Sequence, residues 1–219
     1  MLRTRAVLAA GAVLAATLVA TSPAPAAPAR ATAVAGPAAA AGAQAVPTRQ
    51  ASRAAVCRAV NRGFRPASVT IPGVITNARV LALGRDRYGT PRTPPLTARG
   101  RWQFAWDRAS GIRPGERYGV VRLNAHTYPW SGAYGTALGN RLLRRLHTGD
   151  RIVVAGPQGQ RLCYRVVKRV RVRPGGWLHG YYSNSGPSRL AILVCSGRRR
   201  GPGDWSHRTI WFAKPVVRS

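Results

Sequence analysis

Three residues in this chain have the types and spacing to make and break acyl bonds. Cys195 ends the apolar run Ala191-Ile192-Leu193-Val194 and is followed by Ser196-Gly197, so a strand would finish on a thiol. Thirteen residues later, Arg208 opens the run Thr209-Ile210-Trp211-Phe212-Ala213, and a loop between two such strands would bring a guanidinium to the same rim. His126 stands just past the β-branched, apolar stretch 118–125. A thiolate can attack a carbonyl, a forked cation can steady the oxyanion, and an imidazole can carry the proton. At their ordinary pKa values thiolate with imidazolium is a minority state at neutral pH, and a nearby guanidinium favours the thiolate. Of the other histidines, His147, His179 and His207, only His207 borders the site, being next to Arg208.

That chemistry needs a free thiol. The chain has three cysteines, which in an exported protein predicts one disulfide and one thiol left over. Alternation through 160–172 sets Leu162, Tyr164, Val166, Val170 and Val172 on one face, with Arg161, Cys163, Arg165, Arg169 and Arg171 on the other. Cys163 thus faces away from the core, and Cys57 lies in a predicted N-terminal helix that must pack outside it. The expected bridge is Cys57 to Cys163; it closes a loop of roughly a hundred residues, contributes on the order of 4 kcal/mol, and leaves Cys195 free. No metal or cofactor is expected. The cysteines lack CxxC spacing, and the five acidic residues are nowhere closer than nine positions apart.

The positioning elements follow from composition. Residues 1–26 have a basic start, an apolar run and an Ala-Pro-Ala word, and are expected to be a cleavable secretory signal; a retained anchor is the alternative. Residues 27–49, rich in alanine and proline, are expected to be a disordered linker. Residues 50–65 are expected to carry a short helix packed on the domain, and 66–219 the folded domain itself. Strands are expected at 67–75, 78–83, 118–125, 151–155, 160–172, 189–194 and 209–217, with a helix marked by Leu138, Leu142 and Leu146. This mainly β pattern points to a closed or nearly closed barrel. The formal charge of +30, from 35 basic and 5 acidic residues, is almost all arginine and is scattered along the chain. It fits an anionic membrane or wall polymer better than nucleic acid.

His126, Cys195 and Arg208, in that order, resemble the sortase family of cysteine transpeptidases. The surrounding words Leu123-Asn124-Ala125-His126-Thr127-Tyr128, Gly149-Asp150-Arg151-Ile152-Val153-Val154, Leu193-Val194-Cys195-Ser196-Gly197 and Arg208-Thr209-Ile210-Trp211-Phe212-Ala213 agree. Within the family the chain is most similar to the actinobacterial class F enzymes, with class E the near neighbour. The resemblance covers about 66–217. It implies an eight-stranded barrel with one or two short helices, acting as a monomer at the cell surface or cell wall. It also implies cleavage of an LPxTG-like sorting signal of a surface protein through a thioacyl enzyme, and transfer to an amine of a cell-wall precursor or another protein. Ala125 and Val194 depart from the family's usual glycine and threonine, which bears on substrate preference. Two other readings compete: a basic, non-enzymatic cell-surface binder of polyanions, and a secreted papain-like peptidoglycan endopeptidase, whose cysteine would open a helix rather than follow a strand.

Overall fold

Alternation of apolar and polar side chains along eight segments closes a sheet on itself. The computed structural model describes residues 57–58, 60–176 and 179–216, with His179 described by its backbone only. The predicted signal, the linker and residues 50–56 lie outside the described residues. The elements run β1 (Ser68–Ile71), β2 (Ile75–Leu83), β3 (Phe104–Asp107), β4 (Val120–Ala125), α1 (Leu138–Arg145), β5 (Arg151–Ala155), β6 (Arg161–Val172), α2 (His179–Tyr182), β7 (Arg189–Gly201) and β8 (Asp204–Pro215). The barrel order is β1-β2-β3-β4-β7-β8-β6-β5, closed by β5 against β1. Closure leaves no unpaired sheet edge.

Two neighbouring pairs are parallel, β2 with β3 and β4 with β7. A parallel pair needs a crossing connection. Residues 84–103 make the first crossing over the outside of the barrel, where Arg85 meets Asp107 and the Arg92 carbonyl meets Asn124. The second connects β4 to β7 through α1, β5, β6 and α2.

Inward side chains form the main core, among them Val69, Val80, Phe104, Trp106, Leu123, Ile152, Tyr164, Ile192 and Trp211. Helix α1 adds Leu138 and Leu142, followed by Leu146, all fully buried; the Trp211 indole donates to the Leu146 carbonyl at 2.9 Å. A second cluster covers the outer face of β4, β7 and β8, where Val120, Ala191, Ile210 and Phe212 lie beneath Tyr181 of α2.

Several details differ from the sequence reading, among them β3, a strand where none was expected. In β6 the apolar residues do not share one face: pairing with β8 shifts between Val166 and Lys168, so Val167 is an extra residue. Leu162, Tyr164 and Val166 therefore join the main core, whereas Val170 and Val172 pack on the outer cluster. Strands β7 and β8 also run on past Cys195, pairing Arg199 with Trp205 and Gly201 with Asp204, since exposed arginines on a hairpin carry no burial cost. Finally, the described part of the expected N-terminal helix, residues 57, 58 and 60–65, is not helical. It lies along the barrel instead: the Arg58 amide donates to Arg161 O at 2.9 Å, and Cys57 forms a disulfide with Cys163. Cys163 is on the outer face as alternation predicts, yet fully buried.

Candidate active site

Register brings the three proposed residues side by side. In the parallel pair, Arg122 lies opposite Ala191, Asn124 opposite Leu193 and Ala125 opposite Val194. One further step puts His126 level with Cys195. In the antiparallel pair on the other side, Cys195 lies opposite Arg208. Neighbouring strands are about 4.8 Å apart, so the cysteine sits at the centre of three adjoining strands. Alternation sets all three on the outer face: Ala191 and Leu193 precede Cys195 there, and Ile210 and Phe212 follow Arg208. His207, the rival histidine, pairs with Ser196 and so takes the opposite face, where its Nδ1 is 3.2 Å from Arg171 Nη2 and 2.9 Å from Ser206 Oγ.

Cys195 is the free cysteine and is half-buried. Burial pushes its thiol up from the ordinary 9.0, opposed by the Arg208 charge. Burial pushes His126 down from 6.5, opposed by a hydrogen bond to the Pro94 carbonyl. Both shifts favour the uncharged pair at rest. Arg208 Nη1 donates to the carbonyls of Trp205 and His207, each at 3.0 Å, which fixes the fork at the rim of the hairpin.

The segment carrying His126 is pinned by residues that sequence reading did not single out. Thr127 Oγ1 donates to the Cys195 carbonyl at 2.7 Å, tying the histidine strand to the cysteine strand. The Gly139 amide donates to the His126 carbonyl at 3.1 Å, and a Cβ on Gly139 would lie 2.2 Å from that oxygen, so α1 seats there only with glycine. Asn140, fully buried, accepts from the Tyr128 amide and donates to the Tyr128 carbonyl, both at 2.9 Å. A buried amide in the first turn of an otherwise leucine-faced helix was the available signal.

Beneath the same face lies Arg122, 1% exposed. Its guanidinium donates to Asp107 at 3.1 Å, to the Tyr181, Tyr182 and Ser183 carbonyls at 2.8, 2.6 and 3.1 Å, and to Asn184 Oδ1. Asp107 is also paired with Arg85 at 2.8 Å. One buried fork thus joins the two segments flanking the site, the 84–103 crossing and the loop before β7. A lone arginine inside Val120-Val121-Arg122-Leu123 was its trace in the sequence.

Ala125 and Val194, the two departures noted above, face the barrel interior and belong to the main core. They alter packing in the barrel interior rather than the outer face that carries Cys195 and Arg208. Among the described residues no group of histidine, cysteine and carboxylate side chains is placed to hold a metal, and no helix is long and apolar enough to cross a membrane.

No protein-family model matches the chain, and no curated protein matches it in sequence. Solved structures do match in fold. Sortase C1 from Streptococcus suis is 14% identical, with 72% of this chain and 75% of that one covered at a TM-score of 0.50. Sortase C-1 from Actinomyces oris is 20% identical over 70% and 76% of the two chains, with a TM-score of 0.49. Given its closed eight-stranded barrel and its likeness to the S. suis structure, the chain carries the sortase fold.

Proposed function

We propose that this protein is a sortase-type cysteine transpeptidase acting on an LPxTG-like sorting signal of surface proteins. The observation that carries the reading is the register that lines up His126, Cys195 and Arg208 across β4, β7 and β8 on one face. The Cys195 thiolate attacks the threonyl carbonyl carbon, forming a C–S bond; as the C–N bond breaks, His126 protonates the departing amine. The acceptor amine then attacks the thioacyl carbon, gives a proton to His126 and releases Cys195 as thiolate, which restores the thiolate–imidazolium pair. Arg208 holds the substrate backbone and the oxyanion, a contribution of roughly 3 to 4 kcal/mol to the barrier. The sequence words around the three residues support an assignment near class F or E, and the basic start and apolar run at the N-terminus support export to the cell surface or wall, where anionic polymers surround the enzyme.

Incubation with a panel of sorting-signal peptides and amines, followed by intact-mass measurement, tests this. A thioacyl adduct on Cys195, and an amine-dependent product, are expected. Peptide cleavage that survives Cys195→Ala would overturn the reading. Salt-sensitive binding to anionic polymers with no adduct would favour the non-enzymatic alternative.

A further inference from the structure

Catalytic histidines are held in one tautomer by a partner on the ring nitrogen that does not react, often a carboxylate. This chain has five acidic side chains. Asp86 caps its own turn, accepting from the Tyr88 and Thr90 amides at 2.9 Å. Asp107 is held between Arg85 and Arg122, Asp150 lies beside His147, Glu116 packs against Gly63, and Asp204 sits opposite Gly201 at the hairpin tip. None of them partners His126. What meets the ring instead is a main-chain oxygen: His126 Nε2 is 2.6 Å from the Pro94 carbonyl. The Tyr128 ring stands edge-on at 6.0 Å between centroids.

A carbonyl oxygen can only accept, so a contact of this length requires the hydrogen on Nε2. In a neutral imidazole that leaves the lone pair on Nδ1. Resting on the reading of His126 as the proton carrier, we infer that the Pro94 carbonyl is the orienting group of His126, fixing the Nε2–H tautomer so that Nδ1 exchanges the proton. The Cys195 S–H proton then passes to Nδ1, giving thiolate and imidazolium. Nδ1–H later protonates the amine that leaves as the peptide C–N bond breaks, and Nε2–H stays on Pro94 throughout.

The local backbone is suited to that task. Pro94 and Pro95 each have φ fixed by the ring, and a residue before proline is confined to extended conformations. Pro94 is buried. The stretch is fastened on both sides, by Asn124 Nδ2 donating to Arg92 O at 3.1 Å and by the Thr97 amide donating to Pro95 O at 2.8 Å. Gly100 admits the Pro95 carbonyl where a Cβ would collide with it. Asn124 lies on β4 and His126 is the first residue past its end, so one short stretch of chain carries both the ring and the clamp on its orienting segment. Pro94 is a positioning residue in this scheme. It offers a partial charge where a carboxylate would offer a full one, and so orients the ring while only opposing in part the burial that disfavours imidazolium.

The test is the tautomer itself. Long-range proton–nitrogen NMR on the full chain carrying Cys195→Ala and nitrogen-labelled histidine, at about pH 8 where imidazole is neutral, should show His126 as a single Nε2–H tautomer. The resonances are assigned by their loss in His126→Gln. An Nδ1–H tautomer, or the mixture shown by free histidine, overturns the inference. In chains that retain Cys195, replacing both prolines by glycine should lower kcat about tenfold or more with KM within about twofold. The same double change on Cys195→Ala should mix the tautomers. Unchanged tautomer and kcat in the double-glycine chains overturn it as well; should those chains not fold, the parent tautomer decides. Full transfer by His126→Gln overturns the catalytic role given to His126, whatever its tautomer. A wrong tautomer with activity lost in that variant overturns the Pro94 inference alone.

Discussion

At the scale of single residues, burial favours the uncharged form of both Cys195 and His126, whereas the proposed reaction needs the charged pair. The ordinary values of 6.5 for imidazole and 9.0 for thiol leave thiolate–imidazolium at about 1 part in 300, and burial moves the two further apart. The rate constant kcat/KM follows the singly protonated pair, so it rises as pH climbs through the lower apparent pKa and falls beyond the upper. A bell with its acid limb below 6.5 and its alkaline limb above 9.0 is expected; a narrower bell would contradict the burial seen here. Cys195→Ala should abolish transfer. Arg208→Lys keeps the charge but loses the fork, and should slow turnover by roughly 10²-fold or more in a steady-state peptide assay. His126, Cys195 and Arg208 could be proposed from the chain because each has a chemistry few other side chains share, and the register sets them side by side. Pro94, Thr127 and Asn140 were not, since what matters there is a carbonyl, a hydroxyl or an amide whose partner is fixed only by the fold.

At the scale of elements, the strands bring the reactive groups together and α1 and the crossing segment hold them in place. Asn140→Ala removes both bonds to Tyr128 and leaves a partly buried amide and carbonyl without that partner, which should cost about 2 kcal/mol in denaturant unfolding. A larger fractional loss of kcat is expected than of substrate binding, because the His126 segment shifts. Arg122→Ala should be more severe, roughly 3 to 5 kcal/mol, since it strips a partner from Asp107 and several carbonyls. Its KM should also rise, as the two segments beside the site lose their common anchor. An Arg122→Ala chain with unchanged urea midpoint and KM would refute that role. Most strands were readable from period-2 alternation. The β6 bulge was not, because one extra residue reverses the faces of everything after it and only pairing with β8 reveals the shift. Nor was the continuation of β7 through Arg198-Arg199-Arg200, where composition says loop and backbone pairing says strand.

At the scale of the whole molecule, the disulfide ties residues 106 positions apart and fastens the N-terminal segment to β6, away from the β4–β7–β8 face. Replacing Cys57 and Cys163 together by serine should lower stability by about 4 to 5 kcal/mol while leaving kcat close to the parent value. Denaturant titration beside a peptide assay reads both, and a collapse of kcat in a folded double variant would contradict the separation. The barrel class was legible in the number of short strands, whereas the order in which they pair was not: β4 meets β7 and β8 meets β6 through contacts distant in sequence. That order has a temporal consequence. His126 directly follows the fourth strand, Cys195 lies on the seventh and Arg208 on the eighth, so no early portion of the chain contains the set. Contacts so far apart in sequence form late in folding. Until β8 has closed against β7, the Cys195 thiol lacks the neighbouring guanidinium whose charge opposes the effect of burial on it.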